Sequence, residues 1–260
     1  MAKKINLNAD MGESFGAYKM GHDEELIKIV RTASIACGFH AGDPVVMHDL
    51  VMRAKEEGVS IGAHPGFNDL WGFGRRRIET NLRHLEYMVA YQIGALQAMA
   101  QYAGIRVTHV KAHGALSNMA AEDLEIAMAI GRAIKTVDPE LIYLAVAGTQ
   151  MEAAALKLGL PLACEGFCDR RYEDDGNLTS RKIPGAVITD PQQAREQALH
   201  MVLNGEIVSR SGKRLRRRID SLCVHGDEPT AVAVARAVRE GLEQAGVQVV
   251  PLTELDLGQS

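Results

Sequence analysis

Short apolar runs alternate along the chain with longer segments whose apolar residues recur on one helical face. Apolar runs of about four to eight residues predict buried strands, and a period near 3.6 predicts amphipathic helices. The predicted strands cover residues 5–9, 33–37, 59–63, 105–110, 141–146, 161–164, 219–224 and 247–250. The predicted helices cover about residues 23–31, 44–58, 80–103, 122–136, 150–158, 190–205 and a last segment ending at 245. This alternation indicates a parallel sheet with helical crossovers.

Two helix starts carry a strong local signal. Asp43 and Asp190 are each followed by a proline. An aspartate can cap the free N–H groups of a first turn, and proline suits the first helical position. Both residues are therefore predicted N-caps. A small hairpin is expected over residues 207–215, turning at Ser211-Gly212.

Seven or eight strand–helix units in one chain predict a closed or nearly closed β/α barrel. Residues 1–260 contain no evident linker, so one domain is expected. A doubly wound open sheet is the structural alternative, but no G-x-G-x-x-G motif follows the first strand, which argues against its dinucleotide-binding form. In a β/α barrel, active sites lie on the loops that follow the strands.

Six of the predicted strand ends carry an imidazole or a carboxylate group. They are Asp10, His40, His64, His113, Glu165 with Asp169, and His225 with Asp227. Any one of these histidines could have a structural role, but their equivalent positions predict convergence on one face of the barrel. The predicted catalytic residues are Asp10, Glu13, His40, His64 and His113.

The stretch 59–77 is the most informative of these strand ends. Its strand breaks at His64-Pro65-Gly66, and the loop that follows carries the only tryptophan, an aspartate and three arginines. A glycine-rich surface turn is the simpler interpretation. Loops of this length more often hold a binding or catalytic site.

Converging histidines and carboxylates support two kinds of chemistry. In one, a carboxylate activates water and imidazoles stabilise an oxyanion without a metal. In the other, Asp10, His40 and His64 bind a divalent ion that activates the water. The spacing matches no compact metal motif, so the sequence leaves both open.

Charge and cysteine content restrict the class of protein. The 29 basic and 33 acidic residues are nearly balanced, so neither nucleic acid nor a membrane is an expected partner, although an oligomer is possible. The chain has no G-x-x-x-x-G-K-[ST] phosphate loop.

Its four scattered cysteines favour reduced thiols and a cytoplasmic location. Residues 1–4 lead directly into a strand, so no signal peptide is expected. The basic run 213–218 is interpreted first as a solvated hairpin, and a partner-docking strip is the alternative.

Seven motifs resemble one family closely, from the first strand to the last helix. They are L-N-A-D-M-G-E at 7–13, A-C-G-F-H-A-G-D-P at 36–44, G-A-H-P-G-F-x-D at 62–69, G-F-G-R-R at 72–76, H-G-A-L at 113–116, D-R-R-Y at 169–172 and C-V-H-G-D at 223–227. On these motifs the chain resembles the LamB/YcsF family. Three positions depart from the usual pattern, namely Ala112, Ser117 and Cys168, where the family commonly has proline, tyrosine and alanine.

The resemblance implies an irregular seven-stranded (β/α) barrel related to the polysaccharide-deacetylase superfamily. It also implies the A-subunit role in an ATP-dependent 5-oxoprolinase, which with subunits B and C converts 5-oxo-L-proline, ATP and water to L-glutamate, ADP and phosphate. ATP binding is expected to involve the partner subunits.

Within this hypothesis Asp10 or Glu13 acts as the base, the histidines polarise the substrate or stabilise an oxyanion, and Arg75 or Arg76 holds the substrate carboxylate. The predicted substrate-binding residues are Asp43, Arg75, Arg76, Glu165, Asp169, Arg170, His225 and Asp227. A metal-dependent amide hydrolase or deacetylase, and a non-catalytic ligand-binding protein of the complex, are the alternatives.

Overall fold

The computed structural model describes residues 2–257. Its strands are β1 (Lys4–Met11), β2 (Thr32–Ala36), β3 (Ser60–His64), β4 (Val107–Val110), β5 (Ile142–Val146), β6 (Leu162–Phe167), β7 (Glu206–Val208), β8 (Arg214–Arg216), β9 (Ser221–His225) and β10 (Gln248–Val249). Its α-helices are α1 (Asp23–Leu26), α2 (Pro44–Glu56), α3 (Leu82–Ala103), α4 (Gly114–Glu122), α5 (Leu124–Val137), α6 (Gln150–Leu158), α7 (Pro191–Asn204) and α8 (Ala231–Gln244).

Seven parallel strands close into a barrel. Strands β1 to β6 pair in chain order, β6 pairs with β9, and β9 pairs with β1. Because β1 has a neighbour on each side, the sheet has no free edge there, and the open-sheet alternative is wrong. The prediction of an irregular seven-stranded barrel is confirmed. Strands β7 and β8 form the expected hairpin outside the barrel.

In β1, polar side chains face the barrel interior and apolar side chains face the helices. In β1, Ile5, Leu7 and the alternate residues after them pack in the main hydrophobic core against the helices. The intervening Asn6 and Asn8 are buried: Asn6 Nδ2 donates to Thr32 Oγ1 of the neighbouring β2 at 2.8 Å, and Asn8 Nδ2 donates across the barrel to Glu165 Oε1 of β6 at 2.8 Å. Alternation along a strand thus separates a helix-facing side from a reactive interior.

The C-terminal segment covers the end of the barrel where the strands begin. Strand β10 pairs with the first residues of β1, and Leu252 in a following 3₁₀ turn is fully buried against Ile142 and Leu144. The Leu252 N–H donates to Thr32 Oγ1 at 3.3 Å. Within residues 2–257, this cluster fills one end of the interior, and the loops after the strands surround the pocket at the other end.

Helix boundaries differ from the prediction in two places. The predicted helix 122–136 corresponds to α5, which begins after Asp123; that residue is extended, and its carboxylate caps the N–H groups of Glu125 and Ile126. Helix α4 was not predicted from the sequence. The predicted helix 23–31 is wrong in length, because α1 has only four residues. Asp43 and Asp190 are confirmed as N-caps.

No α-helix within residues 2–257 is both long enough and apolar enough to cross a bilayer.

Candidate active site

A buried lysine lies at the centre of the barrel's open end. Lys111 directly follows β4, and its Nζ lies 2.7 Å from Asp10 Oδ1 and 3.0 Å from Glu165 Oε1. Nζ also contacts Asn8 Oδ1 at 3.2 Å and Cys223 Sγ at 2.9 Å. Burial alone lowers the pKa of Lys111, but Asp10, Cys223 and Glu165 together raise it well above its usual value. The ammonium therefore stays charged and holds two carboxylates in place.

Asp10 is the carboxylate that Lys111 and His64 share. Its Oδ2 lies 3.4 Å from His64 Nε2, while its Oδ1 accepts from Lys111. Burial raises the pKa of Asp10, yet the charges of His64 and Lys111 lower it well below its usual value. Asp10 is thus an anion at neutral pH that accepts hydrogen bonds.

His64 and His113 face each other through their ring nitrogens. His64 Nδ1 lies 2.7 Å from the carbonyl of Lys111, and His113 Nε2 lies 2.8 Å from the carbonyl of Phe73. A carbonyl only accepts, so both of these nitrogens must donate. The remaining nitrogens, His64 Nε2 and His113 Nδ1, are 3.0 Å apart and would both present lone pairs if the rings were neutral. One proton or one metal cation therefore has to lie between them.

His40 and Glu13 support this pair from behind. The His40 ring stacks on His113, with ring centroids 3.6 Å apart and planes 3° from parallel. Its Nε2 lies 3.3 Å from Glu13 Oε1, which is also 3.5 Å from His113 Nδ1. Burial, with the charges of Asp10 and Asp227, raises the pKa of Glu13 well above its usual value. A protonated Glu13 can donate to His40 Nε2.

Glycines of the loop after β3 allow this close packing. A Cβ at Gly74 would lie 2.7 Å from His40 Cβ and 2.8 Å from His113 Cδ2, and a Cβ at Gly66 would lie 2.6 Å from His40 Nδ1. Gly74 also has φ +62°, a left-handed conformation that favours glycine. The glycine-rich loop thus encloses the imidazoles, and the simpler interpretation as a surface turn is wrong.

Two further side-chain contacts, between Asp169 and His225 and between Arg75 and Asp227, form another wall of the site. Asp169 accepts from the His225 N–H at 2.8 Å and lies 2.9 Å from His225 Nδ1. Arg75 donates to Asp227 Oδ2 at 2.6 Å. Because β9 and β1 are neighbours, His225 lies beside Asp10, and each offers a ligand atom within 4.8 Å of the other.

These walls enclose a pocket of about 400 Å³. Of the predicted site residues, those that line it are Asp10, His64, Arg75, His113, Arg170 and His225. Glu13, His40, Glu165 and Asp169 are buried behind the lining and contact it. Two of the departures from the family pattern, Ala112 and Ser117, also line the pocket, whereas Cys168 is buried away from it.

Asp43 and Arg76 do not line the pocket. Asp43 accepts from the N–H groups of Val45 and Gly16, as its capping role requires. Arg76 Nε donates to both oxygens of Asp69, at 3.0 and 3.1 Å. Their carboxylate and guanidinium groups are therefore occupied elsewhere.

Sequence reasoning missed Lys111 and Asn8. The signals were present, since Lys111 is a charged residue directly after an apolar strand and Asn8 is a polar residue within one. His109 is fully buried within β4, and burial together with the charge of Lys111 lowers its pKa to about 3, so it stays neutral.

Comparison with known proteins places the chain in a family. The LamB/YcsF family profile matches residues 5–257. The chain belongs to the LamB/YcsF family. Among similar LamB/YcsF sequences, the A subunit of 5-oxoprolinase from Rhodopseudomonas palustris (strain ATCC BAA-98 / CGA009) is 54% identical over 95% of this chain and 98% of that protein. The A subunit of 5-oxoprolinase from Gluconobacter oxydans (strain 621H) is 52% identical over 97% and 99%.

Solved structures agree with this LamB/YcsF assignment. The lactam utilization protein from Thermus thermophilus superposes with a TM-score of 0.90, at 47% identity over 95% of this chain and 99% of that one. The T48 deacetylase superposes with a TM-score of 0.52, at 16% identity over 100% of this chain and 93% of that one. This second likeness concerns the fold alone, and it agrees with the closed barrel that the strand pairing shows.

The histidine cluster has the composition of a divalent-metal site. One ligand atom from each of Glu13, His40, His64 and His113 lies within 4.8 Å of the others. Imidazole and carboxylate ligands suit zinc and related ions. In both His64 and His113, the ring nitrogen that faces away from the other ring donates to a backbone carbonyl, as metal-bound histidines usually do. The metal ligands predicted from the sequence are Asp10, His40 and His64. In the structure, His40 and His64 lie in a cluster with Glu13 and His113, whereas Asp10 Oδ1 accepts from Lys111 Nζ.

Proposed function

We propose that this chain is the A component of an ATP-dependent 5-oxoprolinase and opens the activated lactam ring by adding water. The observation that carries this proposal is the contact chain from Asp10 through His64 to His113 along the pocket wall. It supplies an anionic acceptor and an adjacent proton within one small cavity.

The proton movements balance in this arrangement. Asp10 accepts a proton from water as the oxygen adds to the lactam carbonyl carbon. His64 donates the proton that it shares with His113 to the ring nitrogen as the carbon–nitrogen bond breaks. The 3.4 Å contact between Asp10 Oδ2 and His64 Nε2 then returns a proton to the histidine pair. The second proton of this water also passes to the ring nitrogen, so the opened chain carries the phosphoryl group of the activated substrate as a γ-acyl phosphate. A second water then adds to that carbon and phosphate leaves, and the proton released is taken up by the amine, which gives glutamate as a zwitterion together with inorganic phosphate.

Lys111 acts through Asp10 in this scheme. Its ammonium keeps Asp10 anionic and fixes the carboxylate orientation through Oδ1, which leaves Oδ2 for water. A weakly basic carboxylate suffices only if the carbonyl carbon is already a good electrophile. This requirement explains why ATP-dependent activation by partner subunits B and C precedes ring opening, and the absence of a phosphate loop agrees with nucleotide handling elsewhere.

The test measures release of labelled glutamate from 5-oxoproline and ATP. We expect turnover with subunits B and C present, little with this chain alone, and loss of turnover in Asp10→Asn. Robust ATP-independent turnover by the isolated chain would refute the proposal that subunits B and C activate the lactam before this chain opens it. Alanine substitutions at Asp10, His64 and His113 that all leave turnover intact would favour a non-catalytic binding role.

Metal-dependent amide hydrolysis is the second candidate, and the facing lone pairs of His64 and His113 favour it. In this version a divalent ion held by Glu13, His40, His64 and His113 would polarise the carbonyl. Elemental analysis of untagged protein, followed by chelation, separates the two. Stoichiometric metal with chelator-sensitive activity supports the second candidate, and full activity of metal-free protein dismisses it.

We also place the protein in the cytoplasm. All four cysteines are unpaired and buried, which agrees with a reducing compartment.

A further inference from the structure

The outer half of the pocket is strongly cationic. Its basic lining residues are Arg75, Arg77, Arg170, Arg181 and Lys182. Arg75, Arg77 and Arg181 each pair with a carboxylate, at 2.6, 2.8 and 3.1 Å. Within residues 2–257, Arg170 and Lys182 form no ion pair. Two positive charges thus face the pocket without a neutralising partner.

Arg170 is a buried cation with an unused donor. Its side chain donates to the carbonyl of Thr179 at 2.6 Å, but its buried Nε has no partner within residues 2–257. The residue is only 7% exposed, and its neighbour Asp169 is engaged by His225. Burial and the charge of Arg181 lower the pKa of Arg170 to about 10, so the guanidinium stays charged at neutral pH. A buried charge of this kind needs a compensating anion.

Thr179 supplies a second unused group beside it. Thr179 is 0% exposed, and its Oγ1 has no hydrogen-bond partner in the described part of the chain. Its backbone is held, because its N–H donates to Arg171 O and its carbonyl accepts from Arg170. Buried polar atoms are rarely left unsatisfied. Two such atoms on residues in contact, both lining one pocket, indicate a ligand that presents acceptor oxygens to both.

We propose that Arg170, Thr179 and Lys182 form an anion subsite that takes the phosphoryl group of an activated substrate. The assignment rests on the proposed function, in which water attacks a lactam that has already been activated. Two unpaired positive charges match a phosphoryl dianion better than a carboxylate, which brings one negative charge. A phosphoryl group also offers more acceptor oxygens than a carboxylate for the guanidinium and the hydroxyl.

The subsite lies within reach of the reacting groups. Arg170 adjoins Asp169, which binds His225, and His225 lies beside Asp10. A substrate whose phosphoryl group rests on Arg170 and Thr179 therefore has its carbon framework directed toward Asp10 and His64. The subsite thus orients the activated carbonyl toward the water that Asp10 holds.

Calorimetric titration of the isolated full chain with inorganic phosphate tests the subsite. Loss of a charge-assisted hydrogen bond typically weakens binding about tenfold or more. We expect that loss for Arg170→Gln, and a weakening of about threefold for the surface variant Lys182→Gln. Arg171→Gln is the matched control, because it removes the same charge from the next residue, whose side chain binds Gln193 outside this pocket.

Three outcomes would overturn the assignment. Wild-type affinity for phosphate in both Arg170→Gln and Lys182→Gln, with thermal melting showing that each is folded, removes the subsite. An equal loss in Arg171→Gln reduces the effect to nonspecific charge. Tighter binding of a non-hydrolysable ATP analogue than of phosphate assigns the subsite to a nucleotide.

The glutamate-release assay keeps this proposal separate from the proposed function. Normal wild-type turnover by the complex, with no phosphate bound at Arg170, would refute the anion subsite and leave the proposed function intact. Phosphate binding that Arg170→Gln abolishes, in a complex that never releases glutamate, overturns both the proposed function and the phosphorylated-lactam assignment. Turnover together with Arg170-dependent phosphate binding supports both.

Discussion

Replacing Lys111 by methionine tests the centre of the site most directly. The substitution keeps the length of the side chain but removes the ammonium that lies 2.7 Å from Asp10 and 3.0 Å from Glu165. Removing one partner of a buried ion pair typically costs about 3–5 kcal/mol, because the other charge is left uncompensated. We expect the free energy of unfolding to fall by about this amount at pH 7.5, and the proposed lactam turnover to be lost.

The pH dependence of this loss identifies its cause. Burial raises the pKa of a carboxylate, and in the variant no ammonium opposes this at Asp10 and Glu165. A carboxyl whose folded pKa lies above its unfolded value destabilises the fold increasingly as pH rises between the two values. The deficit of Lys111→Met should therefore shrink as pH falls toward about 5, since protonation then removes the buried charges.

Urea denaturation followed by circular dichroism at pH 5 and 7.5 measures both effects. Lys157→Met is the matched control, because it removes an exposed helical lysine, and its expected change is within about 0.5 kcal/mol. Adding Asp10→Asn to Lys111→Met should recover part of the lost stability, since it removes one stranded charge. A deficit below about 1 kcal/mol that does not vary with pH would refute the reasoning that Lys111 neutralises buried carboxylates.

Three further predictions concern the imidazoles, their loop and a buried carboxylate. His64→Asn should lower turnover by about 10²- to 10⁴-fold in steady-state assays of the complex while the variant stays folded; an unfolded variant with an active folded fraction would instead indicate a structural histidine. Gly74→Ala should destabilise the protein and disturb the stacked imidazoles, whereas Gly104→Ala, with φ +66° and no atom within 4 Å of its added Cβ, should cost only about 1 kcal/mol in the same denaturation assay; equal costs would contradict the packing argument. Burial raises the pKa of Asp23 to about 6, so its ionisation destabilises the fold as pH rises from about 4 to 6. Asp23→Asn keeps an acceptor for the Gly12 N–H and should stabilise the protein at pH 7.5 but not near pH 4. The same difference in unfolding free energy between variant and wild type at both pH values would contradict this prediction.

Local sequence determined the elements and the positions of the chemistry along them. Apolar runs and N-capping aspartates located nearly every strand and helix, because side-chain periodicity and capping are local properties. Parallel strands that end on one face were enough to predict that Asp10, His64 and His113 line one pocket. The missed helix α4 has a local cause as well, because its start at Gly114 has no side-chain cap to signal it.

Only the tertiary structure decided which of those groups touch and what charge they carry. Lys111 meets Asp10 across 101 residues of sequence, and no periodicity reports that contact. Alternation along β1 places Asn8 on the same face as Asp10, but no local pattern could show that Lys111 reaches both residues, or that Asp43 and Arg76 bind partners outside the pocket. The pKa directions of Asp10 and Glu13 also depend on burial and on charges from other strands, which exist only once the barrel closes.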